Sequence, residues 1–168
     1  MNSAILAEYD ITGRISAATL ARLTDESDES AEAGHQLYLS YRQQPNIAFA
    51  RALLADLSAR YVAAYGQGGA TTEGLRLAGY LIGLHQDVRD SLLLWRTKQL
   101  TFDTFCEFDV QLVAFAGINQ TLAYLRSLPD PEAVEAVDYL QQCQAAGNFD
   151  DLEDYFSPDN LPYWLQDN

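Results

Sequence analysis

Apolar residues recur at steps of three and four along almost the whole chain, and this spacing constrains the fold more than any other feature. It places apolar side chains on one face of an α-helix, whereas a half-buried β-strand would alternate apolar and polar residues. No convincing alternating segment longer than a few residues occurs among the 168 residues. We therefore expect an all-α fold, an irregular array of antiparallel helix pairs with about six to seven helices in a single domain, residues 1–168.

Capping residues, prolines and glycines predict where the helices begin and end. Ser16 is placed to cap a first short helix, whereas Asp130, Pro131 and Gly147 mark the cap, first turn and end of a later one. The long fifth helix is expected to kink near Gly117. The predicted helices span about residues 16–23, 31–43, 45–65, 72–98, 101–128, 130–146 and 148–156.

Two further segments have a distinct composition. The first is an acidic loop expected over residues 25–34, and its acidic residues are Asp25, Glu26, Asp28, Glu29 and Glu32. The second is a tail, residues 157–168, which we expect to dock on the body of the protein through Tyr163, Trp164 and Leu165. Large apolar side chains near a terminus are expected to pack against a surface of the protein and not to stay exposed to water.

The formal net charge of −14 is concentrated in the second part of the chain. Residues 99–168 hold thirteen Asp and Glu and a single basic residue, Arg126. A field of this sign repels nucleic acid and anionic lipid, and it attracts a basic partner at rates that fall with added salt. The alternative is that the acidity only keeps the protein soluble.

The sequence contains no signal for export or membrane insertion. The N-terminal residues lack a basic region, the first apolar run is broken at Glu8, and no run approaches 18 apolar residues. Cys106 and Cys143 are far apart in the sequence and form no metal-binding spacing, so we expect free thiols. These features predict a cytoplasmic protein.

The stretch TFDTFCEFDVQLVAFAG, residues 101–117, combines three carboxylates with a cysteine and four phenylalanines. On one continuous helix its core stripe would consist of Phe102, Phe105, Cys106, Asp109, Leu112, Val113 and Ala116. Asp109 would then be buried, and a buried carboxylate must be paired or hydrogen-bonded. We expect an ion pair with Arg96 or Arg89 of the preceding helix. A half-exposed polar position and a functional acid are the alternatives.

Asp103 and Glu107 lie four residues apart and share a more exposed face of the same helix. Paired carboxylates can bind metal or act as acid and base, but no histidine joins this pair at helical spacing. Thr104 and Glu107 also fit the S/T-x-x-E capping box, which favours a capping role for Glu107. Cys106 is interpreted as a small apolar core residue because no basic residue or histidine lies beside it.

Other candidate residues do not form a recognisable catalytic pattern. His85 lies on the apolar stripe of the predicted helix 72–98 and is interpreted as a hydrogen-bonded core histidine. No phosphate-binding loop, nucleophile elbow, HExxH or EF-hand motif is present. We therefore expect no enzyme activity, no cofactor and no metal. A metal enzyme that uses Asp103, Glu107, Asp109 and His85 is the alternative.

A second acidic cluster, NFDDLEDYFSPD, alternates carboxylates with aromatic residues. Aromatic anchors surrounded by charge are typical of protein interfaces. An equally strong interpretation is a short helix whose Phe149, Leu152 and Phe156 cover the core. The predicted partner-binding residues are Asp150, Asp151, Glu153, Asp154, Asp103, Glu107 and Tyr155.

Two stretches, LLLWRTKQLTFDTFCEFDVQLVAFAGINQTLAYL and YLQQCQAAGNFDDLEDYF, resemble the small all-helical immunity proteins of bacterial polymorphic and contact-delivered toxin systems. The resemblance rests on the pattern W-R-x-K, FDT-x-C-x-x-D-x-Q and AG. It implies a cytoplasmic, non-enzymatic protein that binds and occludes a cognate toxin domain, often a basic nuclease or another effector enzyme. It carries no residue roles over, because functional residues differ between such families.

Together these features predict an acidic immunity protein that neutralises a basic toxin or effector protein, without nucleic acid or membrane as partner. A homodimer is compatible with the sequence. A helical scaffold or regulatory adaptor without catalytic activity is the alternative function.

Overall fold

A computed structural model describes residues 4–24, 27–67 and 71–166. Within these ranges the chain forms helices and turns and no strand, so the prediction of an all-α fold is confirmed. No described helix combines the length and the apolar character needed to cross a membrane.

The backbone contacts divide the chain into two compact units, residues 1–82 with 162–168 and residues 83–161. The single domain stays a prediction. The first unit holds α1 (Ala4–Thr12), α2 (Ala17–Arg22), α3 (Asp28–Gln43), α4 (Ile47–Ala64), α5 (Glu73–Gly83, its last residue in the second unit) and a 3₁₀ turn (Tyr163–Leu165). The second unit holds a 3₁₀ turn (Val88–Asp90), α6 (Ser91–Lys98), α7 (Phe102–Glu107), α8 (Val110–Val113), α9 (Ile118–Arg126), α10 (Pro131–Ala145) and α11 (Leu152–Tyr155).

The described residues thus form eleven α-helices, and the predicted number of six to seven is wrong. One reason is a break in the predicted helix 72–98. α5 ends at Gly83, and Gln86 adopts a left-handed conformation with φ of 55°. The Asp87 side chain then accepts a hydrogen bond from the Arg89 backbone N–H at 3.2 Å and caps the next turn.

The predicted helix 101–128 is broken twice, after Glu107 and again before Gly117, whose φ is 95°. The first break resets the helical phase. Phe102 is consequently 75% exposed, whereas Phe108, which was not on the predicted stripe, is fully buried. The predicted core position of Cys106 is also wrong, because its side chain is exposed.

Several predicted helix ends agree with the structure because they depend only on neighbouring residues. Ser16 accepts a hydrogen bond from the Thr19 N–H at the start of α2, and Asp130 accepts one from the Glu132 N–H at the start of α10. α10 carries Pro131 in its first turn, and Gly147 follows its end with φ of 80°.

The N-terminal part differs more from the sequence analysis. α1 was not predicted. α3 begins at Asp28 with Ser27 as its cap, so residues 28–34 of the expected acidic loop are helical, and Asp25 and Glu26 lie outside the described residues. α4 begins at Ile47 with Asn46 as its cap, two residues after the proline expected to start it.

The interior of the first unit is built around α3, α4 and α5. Its fully or almost fully buried side chains include Leu37, Tyr38, Tyr41, Phe49, Leu53, Leu57, Tyr80 and Leu81. Gly74 of α5 lies close to the end of α2, and a Cβ at this position would be 2.6 Å from the Leu23 carbonyl oxygen. A close backbone approach therefore sets the contact between these two elements.

Two glycine-to-alanine substitutions should have opposite effects on stability. Gly74→Ala should lower the free energy of unfolding by about 1–3 kcal/mol, since the new methyl group meets backbone that cannot rotate away. Gly34→Ala, inside α3, places its methyl group 3.4 Å from Leu77 Cδ2, an ordinary contact. It should be neutral or should stabilise by up to about 1 kcal/mol through helix propensity. Urea unfolding of both variants measures the difference, and a harmless Gly74→Ala would contradict the close approach.

Candidate functional site

The second unit carries most of the negative charge of the protein. Residues 83–161 hold fourteen Asp and Glu and four Lys and Arg, a formal net charge of −10 out of −14. The first unit and its returning segment hold ten acidic and six basic residues. The charge asymmetry seen in the sequence therefore separates largely along the division between the units.

Two of the four basic residues are engaged by nearby acids. Arg96 binds Asp130 at 2.7 Å and Glu132 at 2.6 Å, and these contacts raise the pKa of Arg96, with the Glu132 hydrogen bond the largest cause. Arg89 binds Asp87 at 2.6 Å, and this hydrogen bond raises the pKa of Arg89. The expected ion pair of Asp109 with either arginine is therefore not formed.

Of the remaining carboxylates nine are exposed, whereas Asp109 is half-buried and Asp90 is only 6% exposed. The predicted partner-binding acids Asp103, Glu107, Asp150, Asp151, Glu153 and Asp154 are all exposed, and we call these six residues the acidic surface. Further exposed acids of the same unit, which the site prediction did not include, are Glu135, Asp138 and Asp159. The signal for Glu135 and Asp138 was the helical pattern of α10, where they occupy the face away from the buried Ala136 and Leu140, whereas Asp159 follows α11 in the second acidic cluster.

Asp109 lies at the start of α8 and is half-buried, not a core residue. Its Oδ2 accepts a hydrogen bond from the Tyr155 hydroxyl at 2.6 Å. Nearby, Gln111 Nε2 donates to the Asn148 backbone oxygen at 3.0 Å. These bonds attach the segment that contains α11 to Asp109 and Gln111, which follow α7 along the chain.

Two predicted roles around α7 change in the structure. The capping box is formed by Thr101 and Thr104, which exchange side-chain to backbone bonds, and not by Thr104 and Glu107. Glu107 is the last residue of α7 and is exposed. Phe102, at the first position of α7, leaves an aromatic ring exposed beside Asp103.

The segment around α11 combines both interpretations given by its sequence. Phe149 and Leu152 are buried and cover the interior of the second unit, while Phe156 is half-buried. The carboxylates between them point outward. Tyr155 is half-buried and donates to Asp109, so its first role is to hold α11 in place.

Lys98 is the most unusual polar residue of this unit, and it is not among the predicted site residues. It is only 3% exposed, and its Nζ donates to the carbonyl oxygens of Phe105 at 2.5 Å and Phe108 at 2.6 Å. Burial lowers the pKa of Lys98, and the nearby carboxylate of Asp109 opposes this shift. The available signal was its position on the buried face of α6, next to Leu94 and Trp95.

The metal-enzyme alternative gains no support from the arrangement of the described side chains. His85 lies half-buried in the turn after α5 and not on a helical core stripe. Within the described part of the chain, no three His, Cys, Asp or Glu side chains lie close enough together to hold a metal ion.

Comparisons of the chain with protein-family models, with curated proteins and with solved structures gave no match. The proposed function therefore rests on the geometry of the second unit.

Replacing Lys98 by methionine should destabilise the second unit, because two buried carbonyl groups lose their donor. We expect a loss of about 1–3 kcal/mol at neutral pH. Between the lowered pKa of folded Lys98 and its ordinary value of 10.5, the unfolded chain binds more protons than the folded protein. The stability advantage of the wild type over Lys98→Met should thus grow as pH rises through this window. Urea unfolding at several pH values measures this difference in stability, and Gln99→Met, at an exposed position, is the control. A difference that shrinks as pH rises would be inconsistent with a buried ammonium.

Removing the Tyr155 hydroxyl should loosen α11. Tyr155→Phe removes a bond of 2.6 Å to a carboxylate and should cost about 1–2 kcal/mol, with faster hydrogen exchange in residues 149–156. Tyr124→Phe is the matched control, because the Tyr124 hydroxyl donates only a long, exposed bond of 3.4 Å to the Arg89 carbonyl. Equal effects of the two substitutions would show that the bond to Asp109 does not hold α11.

Proposed function

We propose that this protein is an acidic immunity protein that binds and neutralises a cognate, basic toxin domain through the acidic surface. The observation that carries the proposal is the distribution of charge in residues 83–161. Two of the four basic residues are held by acids and Lys98 is buried, so Arg126 is the basic residue that remains, against nine exposed carboxylates outside the ion pairs of Arg89 and Arg96. A basic partner would meet a surface of nearly one sign.

The physical consequence of such a surface is fast and selective association. Complementary charge raises the rate of encounter and disfavours acidic partners, while carboxylates at the edge of the interface contribute less to the lifetime of the complex. A long-lived complex needs an apolar anchor that is desolvated on binding. Phe102, 75% exposed and adjacent to Asp103, is the large aromatic side chain of this unit that is free to act as one.

Solubility alone accounts less well for the arrangement. A charge that serves only solubility can be distributed anywhere on the protein. Here the bond between Tyr155 and Asp109 links α11, which carries one acidic segment, to the start of α8, two residues after Glu107 of the other segment. The exposed ring of Phe102 also opposes solubility, whereas it favours binding.

Reversing two charges of the acidic surface should weaken the complex without unfolding the protein. Asp151→Lys with Asp154→Lys should lower the affinity for the basic domain of a toxin encoded by the neighbouring gene by about tenfold or more, because charge attraction becomes repulsion. Titration calorimetry at two salt concentrations and growth of cells that express the toxin domain measure binding and neutralisation. The wild-type affinity should fall with salt.

The matched control is Glu29→Lys with Glu32→Lys, which reverses two exposed acids at the same spacing on α3 of the first unit. It should leave binding and protection nearly unchanged. If the control pair abolished protection and the α11 pair did not, the binding surface would lie on the first unit. Binding without protection would indicate an adaptor and not an immunity protein.

A further inference from the structure

Residues 162–166, which we call the tail segment, lie along a groove between α3 and α5 of the first unit, where Trp164 and Leu165 enter the groove and the Tyr163 side chain is 76% exposed. Leu165 is 3% exposed, and its carbonyl oxygen lies 2.9 Å from His35 Nδ1. The Trp164 ring contacts Tyr80 edge to face, with centroids 6.0 Å apart. Only about 20 Å³ of free space remains beside Trp164 and Leu165, little more than one water molecule needs. The apolar part of the groove is therefore well matched to a Trp-Leu pair.

The polar part of the same groove is poorly matched to the tail segment. Arg76 of α5 is 8% exposed, and its guanidinium carbon lies 5.2 Å from the centroid of Trp164. Arg76 Nη1 donates to the Tyr163 hydroxyl over a long 3.4 Å, and Nε has no hydrogen-bond partner within the described ranges. A buried guanidinium is normally paired with a carboxylate, because it is costly to remove from water.

No described carboxylate forms an ion pair with Arg76, although Glu73 lies one turn earlier on the same helix and lines the remaining cavity. The tail segment brings a phenol to this position, and a phenol offers one weak contact. A carboxylate would offer two oxygens to the planar guanidinium, in the bidentate geometry that arginine prefers. A different segment would thus bind more tightly if it carried a carboxylate at the residue that precedes Trp-Leu.

We propose that this groove is a binding site for an extended segment of a partner protein in which an acidic residue precedes Trp-Leu. The tail segment occupies the site in cis and is exchanged for that ligand. Recognition combines the apolar pocket for Trp-Leu with an ion pair to Arg76. The site lies in the first unit and is separate from the acidic surface, so it adds a second partner.

The chemistry of recognition is testable within the full-length chain. The Leu165 amide donates to the Pro162 carbonyl at 2.8 Å, so its hydrogen exchange reports the opening of the tail segment. Tyr163→Glu should slow this exchange about threefold, since a carboxylate at this exposed position gains part of the free energy of a charge pair with Arg76. Tyr163→Gln introduces a side chain of the same size as glutamate but without charge, and it should not slow the exchange of the Leu165 amide. In the Arg76→Met background the two variants should exchange alike.

Exchange in trans is tested with full-length Trp164→Ala, which weakens the hold of the chain on its own tail segment. The probe is the peptide acetyl-Leu-Pro-Glu-Trp-Leu-Gln-amide, followed by calorimetry, and the same peptide with Gln in place of Glu is the control. The acidic peptide should bind about threefold more tightly than its control, and adding Arg76→Met should remove the difference.

Several results would overturn the proposal. Absence of peptide binding, or equal affinity of both peptides, would show that the groove serves only the chain itself. Formation of a dimer by Trp164→Ala that the peptide does not dissociate would identify a second copy as the occupant. An Asp167→Asn variant that speeds exchange at Leu165 as much as Arg76→Met does would show that the chain already supplies the carboxylate.

Discussion

The bonds from the Lys98 ammonium to the carbonyl groups of Phe105 and Phe108 determine how the second unit is built. Lys98 ends α6, and its buried Nζ satisfies two carbonyl oxygens at the end of α7. The Thr104 hydroxyl reinforces the same junction by donating to the Lys98 carbonyl at 3.1 Å. Because these carbonyls are bonded to a lysine, they do not need to continue a helical ladder, and the chain can turn between Glu107 and Val110.

This turn has consequences for the whole candidate interface. It buries Phe108, exposes Phe102 and places Asp109 where the Tyr155 hydroxyl can reach it. α11 is only four residues long, too short to be stable by itself, and it depends on this bond and on the burial of Leu152. The positions of the carboxylates on α11 are thus fixed by a lysine that lies more than fifty residues earlier in the sequence.

The sequence predicted the local features of the fold and missed the features that depend on distant contacts. The caps at Ser16 and Asp130 involve partners within three residues, and both were predicted. The break near Asp109 was missed because the helical pattern of residues 101–116 is nearly continuous in the sequence. What stops the helix is the donor group of Lys98, and its proximity follows only from the packing of α6 against α7.

The same distinction explains the candidate site. Exposure of the six residues of the acidic surface could be predicted, since charged side chains without a required partner remain in water. The choice of ion pairs could not, because fourteen acids compete for four bases in this unit and the sequence does not rank them. Arg96 lies beside the first turn of α10, where Asp130 and Glu132 are already held by capping geometry, so these acids bind it, while Asp109 accepts a hydrogen bond from the Tyr155 hydroxyl. Because acidic residues are in excess, their exposure can be predicted from the sequence. Which of them form ion pairs depends on the fold.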